Sequence, residues 1–60
     1  MSNNRIKIVE ELLDERLSIS KMREATMSDK FYYKGMLAVL KAMGYDWVIK
    51  DGKHTLYGGE

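Results

Sequence analysis

Sixty residues without a cysteine, carrying ten basic against nine acidic side chains and a formal net charge of +1, leave room for one small domain. They exclude disulfides or a thiolate zinc site as its staple. The apolar runs are short and broken by charge, which excludes a membrane-spanning helix, and Glu10 and Glu11 sit where a signal peptide needs an unbroken apolar stretch. The expected setting is a soluble protein of a reducing cytoplasm, with a core that stands alone or is shared with a partner chain.

In chain order, Ser2, Asn3 and Asn4 offer N-cap oxygens, after which Ile6, Val9, Leu13 and Leu17 recur at helical spacing, with Ile8 and Leu12 widening the stripe. The spacing predicts a first helix over residues 4–17. Ser18, Ile19 and Ser20 predict a short extended link with Ile19 inward, because hydroxyls compete for backbone hydrogen bonds. Ser20 then caps a second helix over 20–26 that gives Met22 and Ala25 to the core and Lys21, Arg23 and Glu24 to water. Ser28 as N-cap, Asp29 in the first turn and Gly44 as the left-handed C′ residue bound a third helix over 29–43, with Tyr33, Met36, Leu37, Leu40 and Met43 inward.

The strongest local signal is "WVIKDGKHTLYG", residues 47–58. Asp51-Gly52 between two runs rich in β-branched and aromatic residues predicts a hairpin over 46–57 with a type I′ turn. That turn sets Lys50 against Lys53, Ile49 against His54, Val48 against Thr55 and Trp47 against Leu56. Trp47, Ile49 and Leu56 then share the core face, and Gly58-Gly59-Glu60 is expected to fray.

This order is α+β: three helices followed by a C-terminal two-stranded hairpin. Together with Ala25-Thr26, Leu37 and Leu40, Gly44-Tyr45 and "KDGKHTLYG", it resembles a winged helix-turn-helix domain of the isocitrate-lyase-regulator and MarR types, across residues 6–58. Such domains usually place a glycine and an aliphatic residue after the alanine and threonine, where this chain has Met27 and Ser28. The resemblance implies a small transcription regulator that occupies double-stranded DNA. Lys30, Tyr32 and Lys34 would approach the major groove, and Lys50, Lys53 and His54 would touch backbone.

The residues themselves support two readings. Residues 28–54 hold five lysines against three aspartates, and Lys50 facing Lys53 is a like-charge pair that a phosphate would offset, or that fans into solvent at no great cost. Against DNA, the third helix offers an exposed phenyl at Phe31 and a smooth stripe of Gly35, Ala38 and Ala42, which suits a closely packed helix from a second protomer or another protein. The alternative function is therefore a protein-interaction module, a small inhibitor or adaptor. Burial of Phe31 in the single chain would remove most of that argument.

Glu10, Glu11, Asp14 and Glu15 read as a solvated outer face of the first helix. His54, the only histidine, is expected near the hairpin tip and is poor grounds for a metal or a general base. No phosphate-cradling loop, nucleophile elbow or metal-ligand spacing is present, so no enzyme and no cofactor is expected.

Overall fold

Two helices and one hairpin make up the described residues, 3–59, of the computed structural model: α1 (Asn3–Ser20), α2 (Met27–Ala42), β1 (Tyr45–Lys50) and β2 (Lys53–Gly58). The class is α+β, but the three helices of a winged helix-turn-helix are not there, and residues 20–26 form no second helix. The reason is local. Helix α1 does not stop at Leu17 but runs on through Ser18, Ile19 and Ser20, and the Ser20 hydroxyl donates back to the Leu17 carbonyl at 2.7 Å. The residue expected to cap a new helix is thus spent inside the old one. Too few residues then remain before the next cap to nucleate a helix, and residues 21–26 are a turn held by Met22 N–H to Ile19 and Ala25 N–H to Met22.

Helix α2 starts two residues earlier than the sequence suggests, because Thr26 rather than Ser28 is its N-cap. Thr26 Oγ1 accepts from the Asp29 N–H at 3.2 Å, and Asp29 Oδ2 accepts from the Thr26 N–H at 2.9 Å, a reciprocal capping box. The backbone and hydroxyl of Thr26 hold the Asp29 carboxyl below the ordinary value of 3.8. A depressed folded-state value means stability that is present above 3.8 and is lost as pH falls through the lowered value. Thr26→Ala should therefore lower stability at neutral pH and flatten the acid limb of the stability curve, as read from denaturation midpoints across that range.

The helix ends at Ala42 with Met43 as its C-cap, and Gly44 (φ 90°) takes the left-handed conformation that turns the chain into β1. Asp51 (φ 53°) and Gly52 (φ 76°) both lie in that region, as a type I′ turn requires, and the register runs from Lys50↔Lys53 through Ile49↔His54 and Trp47↔Leu56 to Tyr45↔Gly58. Gly59 does not fray: its N–H donates to the Gly44 carbonyl at 3.0 Å, and at φ 82° a Cβ there would lie 2.5 Å from the Tyr45 ring. Glu60 and the Ser2 cap lie outside the described residues.

Leu13, Leu40, Tyr45 and Leu56 form the buried core, with Ile6, Val9, Tyr33, Met36, Leu37 and Trp47 packed around it. Leu13 at its centre is fully buried. Several expected core residues are not in it. Ile49, on the outer strand next to the tip, is 45% exposed, Ile8, Leu12, Met22 and Met43 are exposed as well, and Leu17, Ile19 and Ala25 are half-buried outside the cluster.

Candidate functional site

The first structural surprise is on α1. In an antiparallel hairpin closed by the Lys50↔Lys53 pair, the amides of alternate β2 residues point away from β1, toward an unpaired edge. Helix α1 lies along that edge and fills it with carboxylates: Asp14 Oδ1 accepts from the His54 N–H and Glu10 Oε2 from the Leu56 N–H, both at 2.7 Å. The geometry follows from two periodicities. Side chains four apart on a helix are about 6 Å apart, and residues two apart on a strand are about 6.8 Å apart. Glu10 and Asp14 are therefore a staple between helix and sheet, while Glu11 and Glu15 remain on the exposed side.

His54 completes the staple. Expected near the surface, it is 4% exposed, with Nδ1 2.7 Å from Asp14 Oδ1 and Nε2 2.6 Å from the Tyr33 hydroxyl. A carboxylate only accepts, so in the neutral ring the proton sits on Nδ1, and Nε2 accepts from Tyr33. Both ring nitrogens are occupied and the imidazole has no solvent-exposed surface, so the trio resembles a relay whose histidine is covered, while Asp14 is 30% exposed. It joins α1, α2 and β2. Burial, and then the Asp14 charge, push the Tyr33 hydroxyl above its ordinary value of 10.0. A raised folded-state value means stability that is complete below 10.0 and lost as pH rises through the folded value. Tyr33→Phe is expected to remove that alkaline loss while costing about 1 kcal/mol at neutral pH, both read from urea denaturation.

The lysines expected at DNA divide from the other members of their set. Lys30 and Lys34 are exposed on the flank of α2 that also carries Lys41, which reaches Asp46 of β1 at 3.2 Å. Lys50 and Lys53 are exposed and face each other beside the hairpin turn. The turn stands near the end of α1, where Gly52 borders one open pocket with Leu17, Ser18 and Lys21. Tyr32, however, lies on the opposite flank of α2, its ring 3.9 Å beneath the Arg16 guanidinium, and His54 is interior. Neither shares a surface with the four lysines.

The second structural surprise is the face of the helix pair turned away from the hairpin. Phe31 is 60% exposed, and with Gly35, Ala38 and Ala42 it forms one stripe on the outer side of α2. Beside the stripe, Val9 of α1 and Phe31, Tyr32, Gly35, Met36, Val39, Leu40 and Met43 of α2 line an open groove of about 480 Å³. No charged side chain lines it. Val39 is 61% and Met43 48% exposed, and Leu12 and Ile8 carry the apolar surface onto α1. Known protein families, curated proteins and solved structures show no match to this chain.

Sequence reasoning found the stripe but missed Val9, Val39 and Met43. Val39 and Met43 are four apart, next to Gly35 and Tyr32, but the inward stripe of Tyr33, Met36, Leu37, Leu40 and Met43 takes in Met43 and leaves Val39 out. Among the described residues no group of three or more His, Asp and Glu is placed to hold a metal ion. None of their helices is long and apolar enough to cross a membrane.

Proposed function

We propose that this chain is a protein-interaction module whose working surface is the α1–α2 face opposite the hairpin. The observation that carries this reading is the groove: two aromatic and several aliphatic side chains stand exposed in one continuous patch with no charged side chain in its lining. Contiguous apolar patches of that kind mark binding surfaces for a protein, a membrane or a ligand. Scattered single apolar residues would not have this meaning. The absence of cysteine suits work in a reducing cytoplasm.

The test is a photo-crosslinker, benzoylphenylalanine, placed at Val39 in the intact chain inside cells that make it, with the same group at Val48 as the control. Val48 is exposed on the other face of the hairpin. A discrete polypeptide adduct from position 39 and none from position 48 is expected. No polypeptide adduct from position 39 would end this reading.

One observation favours a second reading. Lys50 and Lys53 are paired across the hairpin with nothing acidic between them but Asp51 in the turn, and Lys30 and Lys34 occupy the flank of α2 that borders β1. These four fit the phosphates of double-stranded DNA, on which the chain would act as a regulator by occupying a site. Contacts of this kind make affinity fall steeply with salt. Lys50→Ala with Lys53→Ala should flatten that slope, and absence of duplex binding even at low salt rules the reading out.

A further inference from the structure

From the area, shape and charge of the groove we infer that its occupant is a second copy of this chain, paired across a two-fold axis through α2. The inference rests on the reading of this face as a protein-binding surface and names the partner.

The first argument is area. The folded chain exposes 4674 Å², whereas a compact monomer of 7.0 kDa exposes about 4000 Å². The excess of roughly 600 Å² approaches the ~800 Å² that one partner contributes to a standard interface. A chain of this length usually needs a staple beyond its own core. Cysteines are absent and the described residues hold no metal-binding cluster, so oligomerisation is the staple that suits this surface.

The second argument is shape. An isologous interface must be complementary to itself. Phe31 is a knob and Gly35, one turn further along the same face, is a gap. A Cβ added at Gly35 would meet nothing within 4 Å, so this glycine makes way for no group of its own chain and still weakens its helix. When two α2 helices cross in antiparallel fashion between these positions, each Phe31 covers the Gly35 of the other copy. Ala38 and Ala42 continue the smooth surface that lets the helices approach closely. Charge agrees with shape. The groove lining carries no ionised group to be desolvated, Arg16 lying over the Tyr32 ring at its edge, and at +1 per chain two copies repel little.

The experiment is sedimentation of the purified intact chain from micromolar to millimolar concentration, alongside Gly35→Leu. The wild type is expected to reach twice its chain mass as concentration rises. Gly35→Leu fills the gap, so it should weaken the dimer by at least about tenfold while raising helix content and thermal stability of the monomer, since leucine is the better helix former. Those opposite signs separate a lost interface from a failed fold. A wild type that stays monomeric at millimolar concentration overturns the inference, and so does a Gly35→Leu chain that dimerises as well as the wild type. If the wild type is monomeric but position 39 crosslinks to a different polypeptide in cells, the second copy is excluded and the protein-binding reading stands. If position 39 crosslinks to no polypeptide, both fall.

Discussion

Asp14→Ala should remove about 3 kcal/mol of folding stability, more than a substitution at any other acid of α1. The carboxylate accepts from two donors on the same residue, the backbone N–H and Nδ1–H of His54, each at 2.7 Å. The imidazole has no solvent-exposed surface, and Asp14 is itself only 30% exposed, so no other side chain replaces the lost acceptor and water entering its place does so only in part. A buried donor left unpaired costs roughly 1 to 3 kcal/mol. A domain of this length holds only about 3 to 9 kcal/mol in total. Asp14→Asn keeps an acceptor oxygen and should cost about 1 kcal/mol. Glu10→Ala, which strands one amide, should cost between 1 and 2 kcal/mol, roughly. Glu11→Ala and Glu15→Ala should stay within about 0.5 kcal/mol. Urea midpoints at constant slope give all five values. Equal effects at the four acids would show that the staple between α1 and β2 is not what holds the hairpin.

Val39→Lys is expected to act in the opposite way, sparing the fold and abolishing the contact. At 61% exposure the side chain is mostly in water in the single chain, and lysine is at least as good a helix former as valine. In the covered state an ammonium there would face Val9, Met36 and Leu40 with no counter-charge in the groove. A loss of binding of at least about a hundredfold should follow, a factor that corresponds to roughly 2.7 kcal/mol. It is measured as the concentration needed to double the mass, or as the adduct yield from a crosslinker moved to Met43. An unchanged urea midpoint in the same variant would confirm that only the surface was altered.

The two effects belong to opposite sides of one small molecule, and they differ in how readily a sequence displays them. The hairpin is written in Asp51-Gly52, whose positive φ angles impose the register on every residue of both strands. Helix α2 is nearly as plain, because Gly44 ends it and its apolar positions repeat at helical spacing. Its start was misplaced by the wealth of candidate caps, since Thr26 and Ser28 both carry hydroxyls and only the reciprocal bond with Asp29 decides between them. The supposed helix over 20–26 failed for a similar reason: Ser20 suits a cap, but its hydroxyl is already bound to the preceding turn.

Glu10 and Asp14 were misread for a different reason. A carboxylate on a helix is solvated unless something polar comes to lie against it, and that something is the outward-facing edge of β2, forty or more residues away in the chain. Two signals pointed to it. The acids are four apart and border the apolar stripe of Leu13 and Leu17, and the only histidine lies on an inward-facing strand position. The groove was readable only in part. Phe31, Gly35, Ala38 and Ala42 stand out because a base-reading helix carries polar side chains there, although Ala38 and Ala42 are also simply good helix formers. Val39 and Met43 became visible once the helices were seen to be covered on one side alone.

Everything proposed for this chain depends on the α1–α2 face being covered when the protein works, and side-chain oxidation tests that most directly. Met43 borders the groove and Met22 lies in the turn outside it, and both are exposed in the single chain. Brief hydroxyl-radical labelling in cells, followed by mass spectrometry of the intact chain's peptides, compares the two within one molecule. Strong protection of Met43 and Phe31 with ordinary oxidation of Met22 is the expected result. Oxidation of Met43 as fast as that of Met22 would show an uncovered groove and contradict the account.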